Sequence, residues 1–175
     1  APGLTVPTGV GALAAECRGA AVITKLDGTR RVMAGTATAL YELVSTTWTD
    51  RSAATYTGSG DTRWSFAQFG DATIAANRTD TIQRTTSGSF AAISGAPKAK
   101  IVFTVGSFVM ALNVNDGAEK PNGWHCCASF DDTDWTEDVA TQSASGQLVA
   151  TPGELTAGAR LAEYAVAFKK SSTYL

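Results

Sequence analysis

An internal repeat constrains this chain more than any other feature. Residues 18–52, moved forward by 42 positions, lie on residues 60–94 without a gap. Val22 falls on Trp64, Gly28 on Gly70, Val32 on Ile74, Leu40 on Ile82, Trp48 on Phe90 and Ser52 on Ser94. Identities are few, so the repeat rests on residue class and on turns falling in register. A period of about 40–50 residues belongs either to four-stranded propeller blades or to paired-helix repeats. Paired helices need two amphipathic stripes per unit, and the sequence carries none.

Each unit divides into short strands. In the first, AVITKL, RRVMAG, ALYELV and WTDRS follow one another, with Asp27-Gly28 between the first two. In the second, RWSFAQF, ATIAAN, DTIQRT and SFAAIS repeat the plan around Gly70-Asp71. Glycine-containing pairs supply positive φ at little cost, as tight hairpins require. A third unit reads AKIVFTV, Gly106-Ser107, FVMALNV and GWHCCASF, with NDGAEKPN as a loop insertion and Trp135 closing the unit. A fourth begins after Pro152-Gly153 with ARLAEYAVAFK and STYL. Composition agrees. The 30 Ala alone would favour helix, but 24 Thr and 17 Gly are interleaved with them and are poor in helix interiors. The expected fold is all-β, a β-propeller segment of four-stranded blades. Its expected parts are an extended arm at 1–17, blades at 18–59, 60–98 and 99–153 (insertion near 115–122), and the start of a fourth blade at 154–175. About three and a half blades make an incomplete ring, so further blades are expected from residues or chains outside this sequence.

Several stretches are similar to virion structural proteins of tailed bacteriophages. They are RWSFAQFGDATIAAN, GAPKAKIVFTVGSFVMALN, and the run from Asp131 to Leu175. The markers are Trp64–Gly70, Asn77, Ala96-Pro97, Phe108–Asn113, Asp134-Trp135, Tyr164–Lys169 and Tyr174. The resemblance is to β-propeller proteins of the head-to-tail connector or tail hub and covers residues 18–175. It implies a structural, non-enzymatic role in the particle, with other connector and tail proteins as partners in a larger ring.

Charge and cysteine usage narrow the alternatives. Fourteen basic and sixteen acidic residues give a net charge of −2, and the pI is near 5.3. That is no footprint for gripping nucleic acid. No apolar run is long enough for a transmembrane helix. Residues 1–15 lack the basic start and unbroken apolar middle of a signal peptide. Three cysteines, two of them adjacent, are not a disulfide framework and read as reduced buried thiols.

Three clusters could carry chemistry. Gly9-Val10-Gly11-Ala12-Leu13-Ala14 has the GxGxxA spacing of a dinucleotide turn, but the segment before it contains Pro7 and is too short for the required strand. His125, Cys126 and Cys127 are adjacent metal-ligand types, yet alternation puts Cys126 on the opposite strand face, leaving two ligands where zinc needs three or four. His125 is the sole histidine, and no Gly-x-Ser-x-Gly turn accompanies it. Asp131, Asp132, Asp134, Glu137 and Asp138 form an acidic cluster without the glycine of an EF-hand loop, and read as a turn-forming acidic loop.

No catalytic residue, metal or cofactor is expected. The candidate interaction surface is Trp124, beside the insertion, with Asp131, Asp132 and Asp134. The expected function is structural, in the tail or connector of a virion. The alternatives are a glycan-binding receptor module that uses Trp124 as a sugar platform and a propeller-fold glycosidase with two facing carboxylates.

Overall fold

The computed structural model describes residues 9–175. They fold into fifteen strands, and no helix occurs among them. The first sheet contains β1 (Ala20–Thr24), β2 (Arg30–Gly35), β3 (Leu40–Val44) and β4 (Thr47–Asp50). The second contains β5 (Ser65–Phe69), β6 (Ala72–Ala76), β7 (Gln83–Thr85) and β8 (Ala91–Ala92). The third contains β9 (Lys98–Val105), β10 (Phe108–Asn115), β11 (Glu119–Cys126) and β12 (Ala144–Gln147). The fourth contains β13 (Leu155–Leu161), β14 (Tyr164–Lys169) and β15 (Thr173–Tyr174). Every sheet is an antiparallel meander whose spatial order follows the chain. The all-β expectation and the grouping into sheets of three or four strands therefore hold.

The turns explain the meanders. Gly70-Asp71 and Gly106-Ser107 are two-residue hairpin loops whose glycines have φ of 55° and 54°. Ser45-Thr46 and Ala162-Glu163 close the same kind of loop, with Ser45 and Ala162 held at 55° and 52°. Asp27-Gly28 sits in a longer connection, where the Asp27 carboxylate accepts from both the backbone N–H and the hydroxyl of Thr29.

The sheets pack face to face in chain order. Alternation gives each inner strand two buried faces. In β6, Ala72, Ile74 and Ala76 face the third sheet, while Ala75 joins Met33, Leu40, Tyr56, Trp64 and Phe90 between the first and second sheets. In β10, Val109 and Ala111 face the second sheet, and Leu112 faces the fourth. The first strands lie side by side, with β5 next to β1 and β9, and β13 next to β9. Side chains bridge these neighbours. The Gln68 amide pairs with the N–H and carbonyl of Thr24, and the Ser65 hydroxyl with the N–H and carbonyl of Val102.

The repeat is less regular than the 42-residue slide suggests. The first strands begin at Ala20, Ser65, Lys98 and Leu155, which are unevenly spaced. Met33, not Val32, faces the second sheet as Ile74 faces the third. A one-residue slip in a strand exchanges its faces, so the slide pairs opposite faces in β2 and β6. The longer Lys25–Thr29 connection absorbs the difference, because Thr24 pairs with Arg30 across it. Two features of the third sheet also differ from expectation. The loop insertion is split, with 116–118 forming the hairpin loop and Pro121–Gly123 of β11 standing opposite the single residue Asn113, since Val114 pairs with Lys120 and Leu112 with Trp124. The closing strand is Ala144–Gln147, and Trp135 lies in the connection before it.

Two aromatic–glycine contacts set how closely the sheets approach. Trp64 lies across β2, its indole N–H donating to the Thr36 carbonyl at 2.8 Å. A methyl group on Gly35 would sit 2.2 Å from the Trp64 ring. Between the third and fourth sheets, a methyl group on Gly158 would sit 2.3 Å from Phe103. Overpacking of this kind costs about 1–3 kcal/mol. Gly35→Ala is therefore expected to lower the free energy of unfolding by that amount, read as a lower urea midpoint, and an unchanged midpoint would show that Trp64 does not set the spacing.

Candidate functional site

The residues singled out in the sequence fall around the third sheet. Trp124 lies on β11, directly opposite Gly146 of β12, where a methyl group would meet the indole at 2.9 Å. It is half-buried and packs with Ile101, Phe103, Leu148 and Tyr174 against the core between the third and fourth sheets. It thus forms one wall of an inter-sheet cleft. Trp135 is only 3% exposed and sits in the core between the second and third sheets.

Asp131, Asp134 and Asp138 of the acidic run cap local turns, while Glu137 accepts from the Ser145 hydroxyl of β12 at 2.6 Å. The Asp131 carboxylate accepts from the N–H and hydroxyl of Thr133, which hold it below the usual carboxylate range. Asp134 accepts from the Thr136 N–H at 2.9 Å, and Asp138 from the Ala140 N–H at 2.8 Å. These are local bonds that Asp makes readily in irregular chain. Asp132 differs. It is 6% exposed, and both its oxygens face the Arg84 guanidinium of β7, at 2.6 and 3.3 Å. Asp132 therefore ties the second sheet to the third and is turned away from solvent.

His125, Cys126 and Cys127 diverge as alternation requires. His125 stacks edge-on against Trp135 with ring centroids 5.4 Å apart. Cys127 packs in the same core, where burial pushes its thiol up to about 12. Cys126 points away, its thiol 3.5 Å from the Ala144 carbonyl, and burial raises it too. Among the described residues, no three His, Cys, Asp or Glu side chains are grouped to hold a metal ion. All three thiols are free, with Cys17 exposed. Gly9–Ala14 is followed by no helix, and the Gly11 N–H is bound to the Thr46 carbonyl at 2.8 Å. The segment Leu4–Thr8 lies outside the described residues. Asn77-Arg78-Thr79 matches the Asn-x-Thr pattern of a glycosylation acceptor, but Asn77 is buried, its amide donating to Asp80 at 2.8 Å.

Sequence reasoning passed over two further charged clusters. Glu42 accepts from Arg31 at 2.6 and 3.1 Å and from Arg51 at 2.9 Å. The bonds from Arg31 hold its carboxyl low against the opposing effect of burial. Arg31, itself buried, also reaches the Thr73 hydroxyl of the second sheet at 3.5 Å. Burial pushes the Asp80 carboxyl up, but bonds from Asn77, Thr57 and Thr79 outweigh it and bring it low. In the sequence these charges are scattered, and only cross-strand pairing shows them as ties between neighbouring segments.

No known protein family matches this chain, and no curated protein matches it in sequence.

Two measurements test this account. Asp132→Ala leaves Arg84 without its carboxylate and is expected to cost about 1–3 kcal/mol, whereas Asp134→Ala, losing one exposed bond, stays within about 1 kcal/mol. Equal losses at the two positions would contradict the assignment of Asp132 to the interface. His125 is buried, and neither ring nitrogen has a protein hydrogen-bond partner. Burial holds its pKa below the ordinary 6.5, against the opposing pull of Glu137. The unfolded ring therefore takes up a proton at a higher pH than the folded one. Stability falls as the pH drops below 6.5, well above the range where carboxylates titrate. His125→Phe is expected to flatten unfolding midpoints between pH 6.5 and about 5, and an unchanged slope would place the titrating group elsewhere.

Proposed function

We propose that the four sheets are consecutive blades of a β-propeller-type array, and that the chain is a structural component of a phage virion. In this reading it acts in the tail or head-to-tail connector through protein–protein interfaces. The propeller reading is supported by the meander order of every sheet and by the adjacency of the first strands. The virion setting rests on the resemblance of residues 18–175 to propeller proteins of tailed phages.

One observation carries the interface role. Both terminal sheets turn an apolar face outward. In the first, the cross-strand row Val22, Val32, Leu43 and Trp48 points away from the second sheet, with Val22 61% exposed and Val32, Leu43 and Trp48 half-buried. In the fourth, Leu161 and Tyr164 pair across the hairpin on the face opposite Gly158, and each is 59% exposed. Contiguous exposed apolar rows mark association surfaces more often than scattered single residues do. The inner faces of the same sheets pack against a neighbouring sheet, so the outer faces have the character of further contacts of the same kind. Charged groups meanwhile serve cohesion, as Arg84–Asp132 and Arg31–Glu42–Arg51 do.

The reading is tested in particles of the phage that encodes the chain. Mass spectrometry of purified virions is expected to find the protein at a fixed copy number. Val22→Glu and Leu161→Glu, at exposed positions, should shift stability by no more than about 0.5 kcal/mol yet deplete the protein from particles. Virions that lack the wild-type protein, or that incorporate both variants normally, would contradict the proposal.

A further inference from the structure

One buried amide of the third sheet is surrounded by groups that neither a turn nor a strand ladder requires. Asn113 is 1% exposed and holds a φ of 56°, a conformation that asparagine adopts more readily than most residues. Its amide Nδ2 donates to Glu154 Oε2 at 2.9 Å and to the Leu155 carbonyl at 3.1 Å. Its carbonyl Oδ1 accepts from the Arg78 guanidinium. Lys100 Nζ donates to the same Glu154 oxygen at 3.3 Å. An amine and an amide nitrogen are thus gathered around one carboxylate oxygen, with a guanidinium on the amide's carbonyl.

The backbone fixes this arrangement. β9 and β10 pair Leu112 with Ile101 and Val114 with Ala99, which places Asn113 directly across from Lys100. Opposed residues of antiparallel strands have Cβ atoms about 4.5–5.5 Å apart, so the lysine side chain is long enough to bring Nζ to Asn113 Cγ. Glu154 comes from the connection before β13, and Arg78 from the connection after β6. Lys100 and Arg78 line one open cavity of about 500 Å³, and the Lys100 and Glu154 side chains are 41% and 48% exposed, so a small product can leave. The second sheet lacks the set. Its Asn77 follows β6 as Asn113 closes the core of β10, but the β5–β6 register puts Trp64 opposite it, and its amide is bound to Asp80. A buried asparagine serves the backbone in both sheets, and the lysine and glutamate are added only in the third.

We propose that Lys100 and Asn113 form an intramolecular isopeptide bond, which joins β9 to β10 at the open end of their hairpin. The Glu154 carboxylate accepts a proton from the Lys100 ammonium, and the neutral Nζ attacks Asn113 Cγ. Arg78 stabilises the negative charge that develops on Oδ1. Protonated Glu154 then donates to Nδ2 as the Cγ–Nδ2 bond breaks, and the restored carboxylate accepts the second Nζ proton. Ammonia carries that proton away as ammonium. One amide bond forms and one breaks, with nothing oxidised or reduced. The inference stands on these four side chains and does not depend on the virion reading.

The test is mass spectrometry of the purified full chain after incubation at about pH 9, which favours the neutral amine. The expected product is lighter by one ammonia. Trypsin then fails to cut after Lys100, and Ala99-Lys100 stay joined to the peptide that carries Asn113. Lys100→Arg is expected to keep the full mass, and Glu154→Gln to slow the reaction by about a hundredfold or more. Both variants keep a polar side chain at a half-exposed position, and the wild-type chain gives the primary result without either. Full wild-type mass with complete cleavage after Lys100 would overturn the proposal. So would loss of ammonia that persists in Lys100→Arg, which would assign it to a succinimide at Asn113. A bond that forms equally fast in Glu154→Gln would contradict the proton transfer assigned to Glu154.

Discussion

The packing of aromatic rings against backbone that carries no side chain governs the rest of this structure. Trp64 can lie across β2 only because Gly35 presents no Cβ, and its ring then meets Tyr56 at 5.0 Å in an edge-to-face contact. Phe103 stands in the same relation to Gly158, and Trp124 to Gly146. Around these anchors the sheets meet through Ala67, Ala72, Ala75, Ala76, Ala99 and Ala111. Small residues bring the sheets close, and the occasional large ring fills the wedge that twisted sheets leave between them. An Ala- and Gly-rich composition that argues weakly for helix is thus the composition of closely packed sheets.

The same logic explains where the charges go. Close sheets leave little room for solvent at their contacts, so polar groups there must be paired. Arg84 meets Asp132 across one contact and Arg31 reaches Thr73 across another, while Asp80 gathers bonds from Thr57, Asn77 and Thr79. Acidic residues that suggest an exposed binding patch in the sequence are, in the fold, partly turn caps and partly cement. Exposed apolar side chains remain at the two ends of the array, at Val22, Leu161 and Tyr164, and in the connecting loops, at Leu26, Phe130, Val139 and Val149.

Much of the architecture was legible because glycine is explicit about backbone geometry. Gly70-Asp71 and Gly106-Ser107 announce their hairpins, and the strands on either side follow closely. Ser45 and Ala162 adopt the same φ without a glycine to signal it, and so the hairpin between β13 and β14 reads in sequence as one continuous run. The strand Ala144–Gln147 is equally silent. Its residues have little strand preference, and it earns its place through pairing with β11 and the room that Gly146 leaves for Trp124. The slip of one residue between β2 and β6 hides in the Lys25–Thr29 connection, where class-level matching cannot detect a change of face. The Asp132–Arg84 tie spans 48 residues and has no local signature at all. Trp124 stands beside the insertion in the sequence, but its surroundings come from β12 and β15, segments distant in sequence whose placement only the fold shows.

The central claim is that this is an interface-building array whose apolar surfaces are meant to be covered. A side-chain-resolution cryo-EM map of the chain in its native assembly tests it most directly. The account predicts that the Val22–Val32–Leu43–Trp48 row and the Leu161–Tyr164 pair are both buried against neighbouring protein. A free-standing monomer in which both rows remain open to solvent would contradict it.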